Sequence, residues 1–519
     1  MRKLVLALLL TAAACTAAPG PQNSSVPAPA GWSQSVADAG GKIDHNWWAH
    51  FADPTLDNLM REALANNKTL AMAKARIEEA RANRAATRAQ LLPNIYATGN
   101  ATRNNLGANG LGTTLGIAEL DGNASWELDL FGANQARASA ASAIVQSEEA
   151  NTHAITVSLL AEVARNYFDM RNDERQIAIA QKNLADEQKT YDLTKAQFEG
   201  AMASDFDVQR AGAQVSTTAA QIPMLKAAYA AAQNRLNVLM GYAPGTKNAL
   251  LATPENVAPV DPHVVVAAPA AVLANRPDVR AAERQFAASI ANLRAADRDL
   301  FPKINLLGLY GYQSSNLLNV AHPWSIAANL TQPILDFGRL ESAIDVADAQ
   351  QKEAFANYQQ TVLSALEDME NALTNYLQET ERNNSLRRAF EQDHRAEQLA
   401  HLQYQDGEIA LLDVLVAEQN ALTAESTLAA SDAALRKDLV AIYAAAGGGW
   451  DAGAVTPAPQ QTTVISSETP PAKTEISAAK GDAAAPPAQA VVAPTAPADS
   501  KPRVSTPHVS THGQSVVIE

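Results

Sequence analysis

Cysteine is almost absent: Cys15 is the single one in 519 residues. A lone thiol makes no intramolecular disulfide, so the fold is not stapled. Aromatic residues are scarce, at 5%, while alanine is abundant. That composition favours helices, and small side chains let helices approach closely. Positive charge is outweighed; the net charge of −15 at pH 7 argues against a nucleic-acid partner. No run of about 18 apolar residues occurs beyond the N-terminus, so no spanning helix is expected. The marks of chemistry are missing too. Nine histidines are scattered without HExxH or a Cys/His cluster, and there is no P-loop. His508 and His512 stand four apart, but on a low-complexity tail. No catalytic set, metal site or cofactor is expected. Any work done against a gradient must draw on a partner.

The first residues read as an export signal. Arg2 and Lys3 form a basic segment, Leu4 to Leu10 an apolar one, and Ala12-Ala13-Ala14 a small-residue approach to Cys15. Residues 1–14 are taken as signal peptide. Cys15 then resembles the lipidated first residue of bacterial lipoproteins, although Ala12 stands where leucine is usual. Thr16, rather than Asp, follows it, as in lipoproteins sorted to the outer membrane. Several acyl chains, at about 0.8 kcal/mol per buried methylene, give stable anchoring. An ordinary signal peptide cut nearby is the alternative. Residues 15–46 read as a lipid-anchored tether, rich in Ala, Pro and Ser over 16–31.

What the chain does contain, it contains twice. Trp126-Glu127-Leu128-Asp129-Leu130-Phe131-Gly132 returns as Gln332-Pro333-Ile334-Leu335-Asp336-Phe337-Gly338. Gln197-Phe198 with Asp207-Val208 returns as Gln403-Tyr404 with Asp413-Val414, a shift of 206 (404 − 198). Leu91-Leu92-Pro93-Asn94-Ile95 returns as Leu300-Phe301-Pro302-Lys303-Ile304. The period is too long for a solenoid and reads as one large unit duplicated and fused. The copies span 47–242 and 277–446, joined by a Pro/Ala/Val-rich connector at 243–276. Residues 447–519 read as a disordered tail.

Each copy holds two segments of period-two alternation, at about 94–103 and 122–131, then 303–312 and 323–332. Ala124, Trp126, Leu128 and Leu130 oppose Asn123, Ser125, Glu127 and Asp129. One apolar and one polar face over ten residues suits a membrane barrel with a wet lumen; a half-buried soluble hairpin has the same pattern. Glu127 and Asp129 share the polar face and are expected to line that lumen. Trp126, Tyr310, Tyr312 and Trp324 fit an interfacial aromatic belt. Between Gly132 and Gly200 there is neither proline nor glycine, and none between Gly338 and Gly407. A 67-residue helix in each gap is about 100 Å long. Hairpin helices are expected over 133–240 and 338–446, with Pro223 interrupting the first return. A coiled coil explains the helices alone but not the strands. Four strands cannot close a barrel in lipid, and barrels start at about eight. Three chains supply twelve strands; two or four also close.

At these residues the chain resembles the TolC-like outer membrane factors, in particular the NodT-type lipoproteins of resistance-nodulation-division efflux systems. Trp47-Trp48, Phe51, Asp53-Pro54 and Leu56 match, as do Arg276-Pro277-Asp278-Val279-Arg280-Ala281-Ala282-Glu283, Phe301-Pro302, and Gly407 with Asp413-Val414-Leu415. The resemblance covers roughly 32–446. It implies an α+β fold in which a homotrimer forms a twelve-stranded outer-membrane β-barrel, continued by a long α-helical periplasmic barrel. It also implies a periplasmic adaptor (membrane fusion) protein, an inner-membrane proton-driven transporter and outer membrane lipid as partners, and a passive export duct as function. A duct for type I protein secretion, or a pore-less lipid-anchored coiled coil, are the other readings.

The resemblance puts the turns between the long helices at the periplasmic tip, where the duct narrows. Gly200, Ser204 and Gly407 are the turn residues expected to meet the adaptor. Asp207 and Asp413 match acidic gate positions, and Tyr404 matches a tyrosine that ties helices together. A further gate acid is replaced here by Val416. Ser204 and Asp207 also fit a capping box, whereas Asp413 has Ala410 at the equivalent place and so less local structural work. Three Asp413 side chains at about 6–8 Å in water repel by only about 0.5–0.7 kcal/mol per pair. Helix packing must therefore hold such a gate closed.

Overall fold

The computed structural model describes residues 28–34, 43, 45–105, 114–251, 267–316 and 320–451. Cys15, His508 and His512 lie outside the described residues, with most of the tether and tail. After a 3-10 turn (Trp47–Phe51) come helices α1 (Pro54–Asn66) and α2 (Lys68–Ala89), then strands β1 (Asn94–Asn105) and β2 (Thr114–Leu128). Helices α3 (Ala133–Glu199) and α4 (Asp205–Leu239) follow. The second copy runs through short helix α5 (Pro269–Asn275), α6 (Pro277–Arg298), β3 (Lys303–Ser315), β4 (Trp324–Thr331), α7 (Arg339–Gln405) and α8 (Leu411–Ala445). The class is α+β. Among the described residues no helix is long and apolar enough to cross a membrane.

Helices α3 and α7 each run 67 residues unbroken, and α4 and α8 return over 35 residues each. Pro223 does not interrupt the first return as the sequence suggests; α4 continues through it. The ring removes one N–H from the ladder, and α4 lies packed along α3, which holds it straight enough to continue.

The four strands form one antiparallel sheet in the order β1-β2-β3-β4. Register aligns Ile95, Ala124, Gly308 and Ile326 in one row, and Ala97, Gly122, Tyr310 and Trp324 in the next. These share the apolar face with Trp126, Leu306 and Ala328. The opposite face carries Thr98, Glu119, Asp121, Asn123, Glu127 and Gln313. Asn123 donates to Thr98 (2.9 Å) and Gln313 to Glu119 (2.6 Å) across the strands. The outer edges of β1 and β4 have no partner strand within the described chain.

Strand β2 is displaced from its expected span. It begins at Thr114, where the sequence reads as loop, and stops at Leu128 rather than 131. The alternation fails between Ile117 and Glu119, where the apolar side changes parity, so the pattern hides a strand that its backbone ladders to β1 and β3 maintain. At the other end the chain peels away to start α3.

The main core lies midway along the long helices. Trp47, Trp48, Phe51, Leu56, Leu59 and Met60 wrap onto Leu160, Tyr167, Phe168 and Met170 of α3, with Leu236, Met369, Leu373, Tyr376 and Val440 completing it. Asp53 caps α1 through Thr55 N (2.9 Å) and Leu56 N (3.0 Å) and accepts from the Tyr167 hydroxyl at 2.6 Å. Burial and that carboxylate push the Tyr167 phenol far upward. The tether and tail are shorter than the sequence suggests. Trp32 donates to Ala267 O (2.9 Å), and Ser33 bonds Glu370 of α7 through both N (2.9 Å) and Oγ (2.5 Å). Gly447 to Trp450 also belong to the body. Gly449 has φ +98, and a Cβ there meets Leu160 at 3.0 Å and Trp47 at 3.2 Å, while Trp450 packs between His45 and His153.

Arg276, the last connector residue, joins the start of the second copy to its end at α8. It reaches the carbonyls of Ala445 (3.1 Å) and Ala365 (3.4 Å), forks onto Asp278 (3.0 and 2.6 Å) and touches Asp368 (3.0 Å). Arg276→Met keeps the volume and loses the charged hydrogen bonds. It is expected to destabilise by about 1.5–3 kcal/mol, read as a lower thermal midpoint of the detergent-solubilised protein; an unchanged midpoint refutes the pinning role.

Candidate functional site at the helical tip

The turns that join α3 to α4 and α7 to α8 are built on one plan. After α3, Ala201 N bonds Phe198 O (2.9 Å) and Met202 N bonds Gln197 O (2.7 Å). After α7, Gly407 N bonds Tyr404 O (3.0 Å) and Glu408 N bonds Gln403 O (2.8 Å). Both are left-handed helix ends that satisfy the last carbonyls. The left-handed residue is Ala201 (φ 61) in one copy and Gly407 (φ 75) in the other. Gly200, expected to be the turn glycine, has an ordinary φ of −81. Glycine is therefore one residue early in the first copy, and alanine occupies the conformation that glycine adopts without strain.

The returning helices start alike as well. Ser204 Oγ accepts from Asp207 N (3.2 Å), and the Asp207 carboxylate accepts from Ser204 N (3.2 Å) and Ser204 Oγ (2.6 Å). The Ser204 hydroxyl, then its N–H, hold Asp207 below the usual carboxylate range. Asp413 accepts from Ala410 N at 3.2 Å, half of the same box, since alanine has no side-chain oxygen. Asp413 thus has more local work than its sequence context suggests. Its side chain is exposed, that of Asp207 half-buried. Tyr404 donates to Gln197 Oε1 at 2.7 Å, tying α7 to α3. It packs with Tyr191 against Ala211, Leu411 and Leu415, a small apolar cluster that seals the hairpins together.

Several residues here escape sequence reasoning. Met202, Phe206 and Leu412 stand exposed on the tip turns and the first turns of α4 and α8, beside Val416, which the sequence already marks. Phe206 lies inside the Ser204–Asp207 box, at a position the cap turns outward, which is the one signal the sequence offers. Glu127 and Asp129, expected together on the polar strand face, are parted: Glu127 stays at the end of β2. Asp129 lies beyond β2 and accepts from Asn134 N (3.2 Å) and Gln135 N (2.7 Å), capping α3, while Glu127 accepts from the Asn134 side chain (3.1 Å). Asp336 caps α7 in the same way through Leu340 N (3.1 Å). Among the described residues no cluster of three or more His, Cys, Asp or Glu is suited to hold a metal ion.

Exchanging the left-handed residues tests the turn geometry. Gly407→Ala is expected to destabilise the tip by about 1 kcal/mol and Ala201→Gly to stabilise it by a similar amount. Amide hydrogen exchange over each turn measures both; equal protection in all variants refutes the assignment.

The chain matches the family model described as outer membrane efflux protein over residues 59–242 and 268–448, one match per copy. It is 30% identical to nodulation protein T of Rhizobium leguminosarum bv. viciae over 466 residues, covering 89% of this chain and 95% of the relative. It is 28% identical to the cation efflux system protein CusC of Escherichia coli K12 over 464 residues, covering 86% and 98%. Among solved structures, the outer-membrane channel OprN is similar at TM-score 0.77 and 31% identity, over 84% of this chain and all of that one. The open state of the Neisseria gonorrhoeae MtrE outer membrane channel is similar at TM-score 0.73 and 28% identity, over 84% and 99%. The chain belongs to the outer membrane efflux protein family, as the outer membrane component of an efflux system.

Proposed function

We propose that three copies of this chain close into one passive export duct for small molecules. Twelve strands form the barrel in the outer membrane, and twelve long helices form a tunnel across the periplasm. The observation that carries this reading is the open sheet: four strands with both outer edges unpaired among the described residues, continuous with 67-residue helices. Open edges do not survive in hydrocarbon, so the strands must pair with copies of themselves. Two or four copies also close a barrel; three is the number the family resemblance implies. Cys15 carries the acyl chains that anchor the chain to outer membrane lipid.

The tip is the gate and the docking end. Asp207 and Asp413 face the constriction, with Tyr404 and its apolar cluster holding it shut. Met202, Phe206, Leu412 and Val416 offer an apolar rim to a periplasmic adaptor, alongside Gly200, Ser204 and Gly407. A proton-driven transporter in the inner membrane supplies the energy and chooses the substrate, because a wide duct selects little.

The duct reading expects heat-modifiable trimers, acyl labelling that Cys15→Ser abolishes, and single channels in planar bilayers. Recovery only as a soluble monomer sinks it. Secretion of a protein that stops on deletion, with no change in sensitivity to small molecules, favours the type I export reading instead. Within the duct, Tyr404→Phe deletes one hydrogen bond and is expected to raise the open fraction about two- to tenfold. Asp413→Asn keeps an acceptor for Ala410 N and removes the charge, so cation preference should fall while stability holds. Unchanged selectivity in that variant counts against a gate role for Asp413.

A further inference from the structure

Two carboxylates are buried in the helical wall, just above the tyrosine link and apart from the gate acids. Glu187 of α3 and Glu418 of α8 are each 3% exposed. Glu187 Oε1 accepts from Gln214 Nε2 (3.0 Å) and Thr218 Oγ1 (3.0 Å) of α4. Glu418 Oε1 accepts from Thr190 Oγ1 of α3 (2.8 Å). Gln214 Nε2 also reaches Gln419 of α8 (2.8 Å). The second oxygen of each acid, sealed from solvent, has no protein partner. Helix α7 closes the layer with His401, whose Nε2 lies 3.3 Å from Glu418 Oε1. All four long helices therefore meet in one polar layer, one turn of α7 above Tyr404. The layer is built once per chain, since the repeat counterpart of Glu418 is Gly212 (418 − 206).

The charges that face Glu418 are mostly of its own sign. Helix α3 brings Asp186 and Glu187, and α7 brings Glu397 and His401. Helix α4 contributes only the neutral Gln214 and Thr218. Asp186 is occupied by Lys189 (2.8 Å) and Glu397 by His394 (3.0 Å). A buried carboxylate with a bare oxygen is expensive in this setting, and a proton on that oxygen removes the charge. Burial first, then the Glu187 and Glu397 charges, push the Glu418 carboxyl up to about 7, and burial raises Glu187 as well.

We propose that Glu418, seconded by Glu187, is a proton-operated latch between the two helical hairpins above the tip. Protonated, the layer is neutral and the hairpins stay packed; ionised, it favours their separation. The sign follows from the raised value. Contact is fullest below the ordinary carboxyl value of 4.5, weakens as pH rises, and has lost this contribution above about 7. The latch deepens the duct reading, yet it is a statement about helix packing and is tested on packing, so the two fail separately.

The test is amide hydrogen exchange on the full-length protein in detergent, over residues 187–218 and 397–420, from about pH 5.5 to 8.5 after correction for intrinsic exchange. Protection is expected to drop on the order of tenfold across that range, the factor carried by one pKa unit. Glu418→Gln, neutral at every pH and of the same shape, is expected to hold the low-pH protection throughout. His401→Gln is expected to keep the drop. A flat wild type, a drop that survives Glu418→Gln, or one abolished only in His401→Gln overturns the proposal.

Discussion

Lipid offers an open strand edge no hydrogen-bond partner, and that constraint organises the rest of the molecule. Each copy of the duplicated unit contributes two strands, and even the fused pair yields a sheet with bare edges at β1 and β4. The apolar rows through Ile95, Ile326, Tyr310 and Trp324 are exposed in a single chain. Such a sheet is stable only as part of a larger closed wall. The strands also leave directly into the long helices, so whatever closes the sheet sets the spacing at which those helices start. Asp129 and Asp336 fix that junction by capping α3 and α7 within a few residues of the strands.

Apolar burial is uneven along the helices. The aromatic core around Trp47, Tyr167 and Phe168 sits mid-length and is large, while the cluster around Leu411 and Tyr404 near the tip is small. Little apolar burial means a low local opening energy at that end. The mid-length belt is pinned by Arg276 and by Ser33 on Glu370.

Much of this was legible in the sequence, and the parts that were not share a cause. The long helices follow from runs without proline or glycine, and the apolar strand rows from period-two alternation. The start of β2 was hidden because the apolar side changes parity between Ile117 and Glu119, where backbone ladders to β1 and β3 maintain the strand. Asp129 looked like a strand residue, yet its carboxylate is drawn to the free N–H groups of α3, a stronger local demand than the pleat. Under the shift of 206, Gly407 corresponds to Ala201 (407 − 206), one residue past Gly200. Only the backbone explains it, with Ala201 rather than Gly200 in the left-handed position. The Glu187–Glu418 layer had no sequence signature, because each acid sits alone in an ordinary helical pattern and the four helices meet only in three dimensions.

Val416 replaces a charge that the family resemblance leads one to expect, and Asp413 spends part of its carboxylate on Ala410 N. Mutual repulsion between exposed acids in water is small, about 0.5–0.7 kcal/mol per pair. A single half-buried hydrogen bond such as Tyr404 to Gln197, together with the apolar seal beside it, is worth about as much. Under the proposed duct reading, control of the tip would rest more on contacts between hairpins than on exposed acids. A buried titratable layer acts on those contacts directly, at a position where burial magnifies the effect of one proton and salt screens it little.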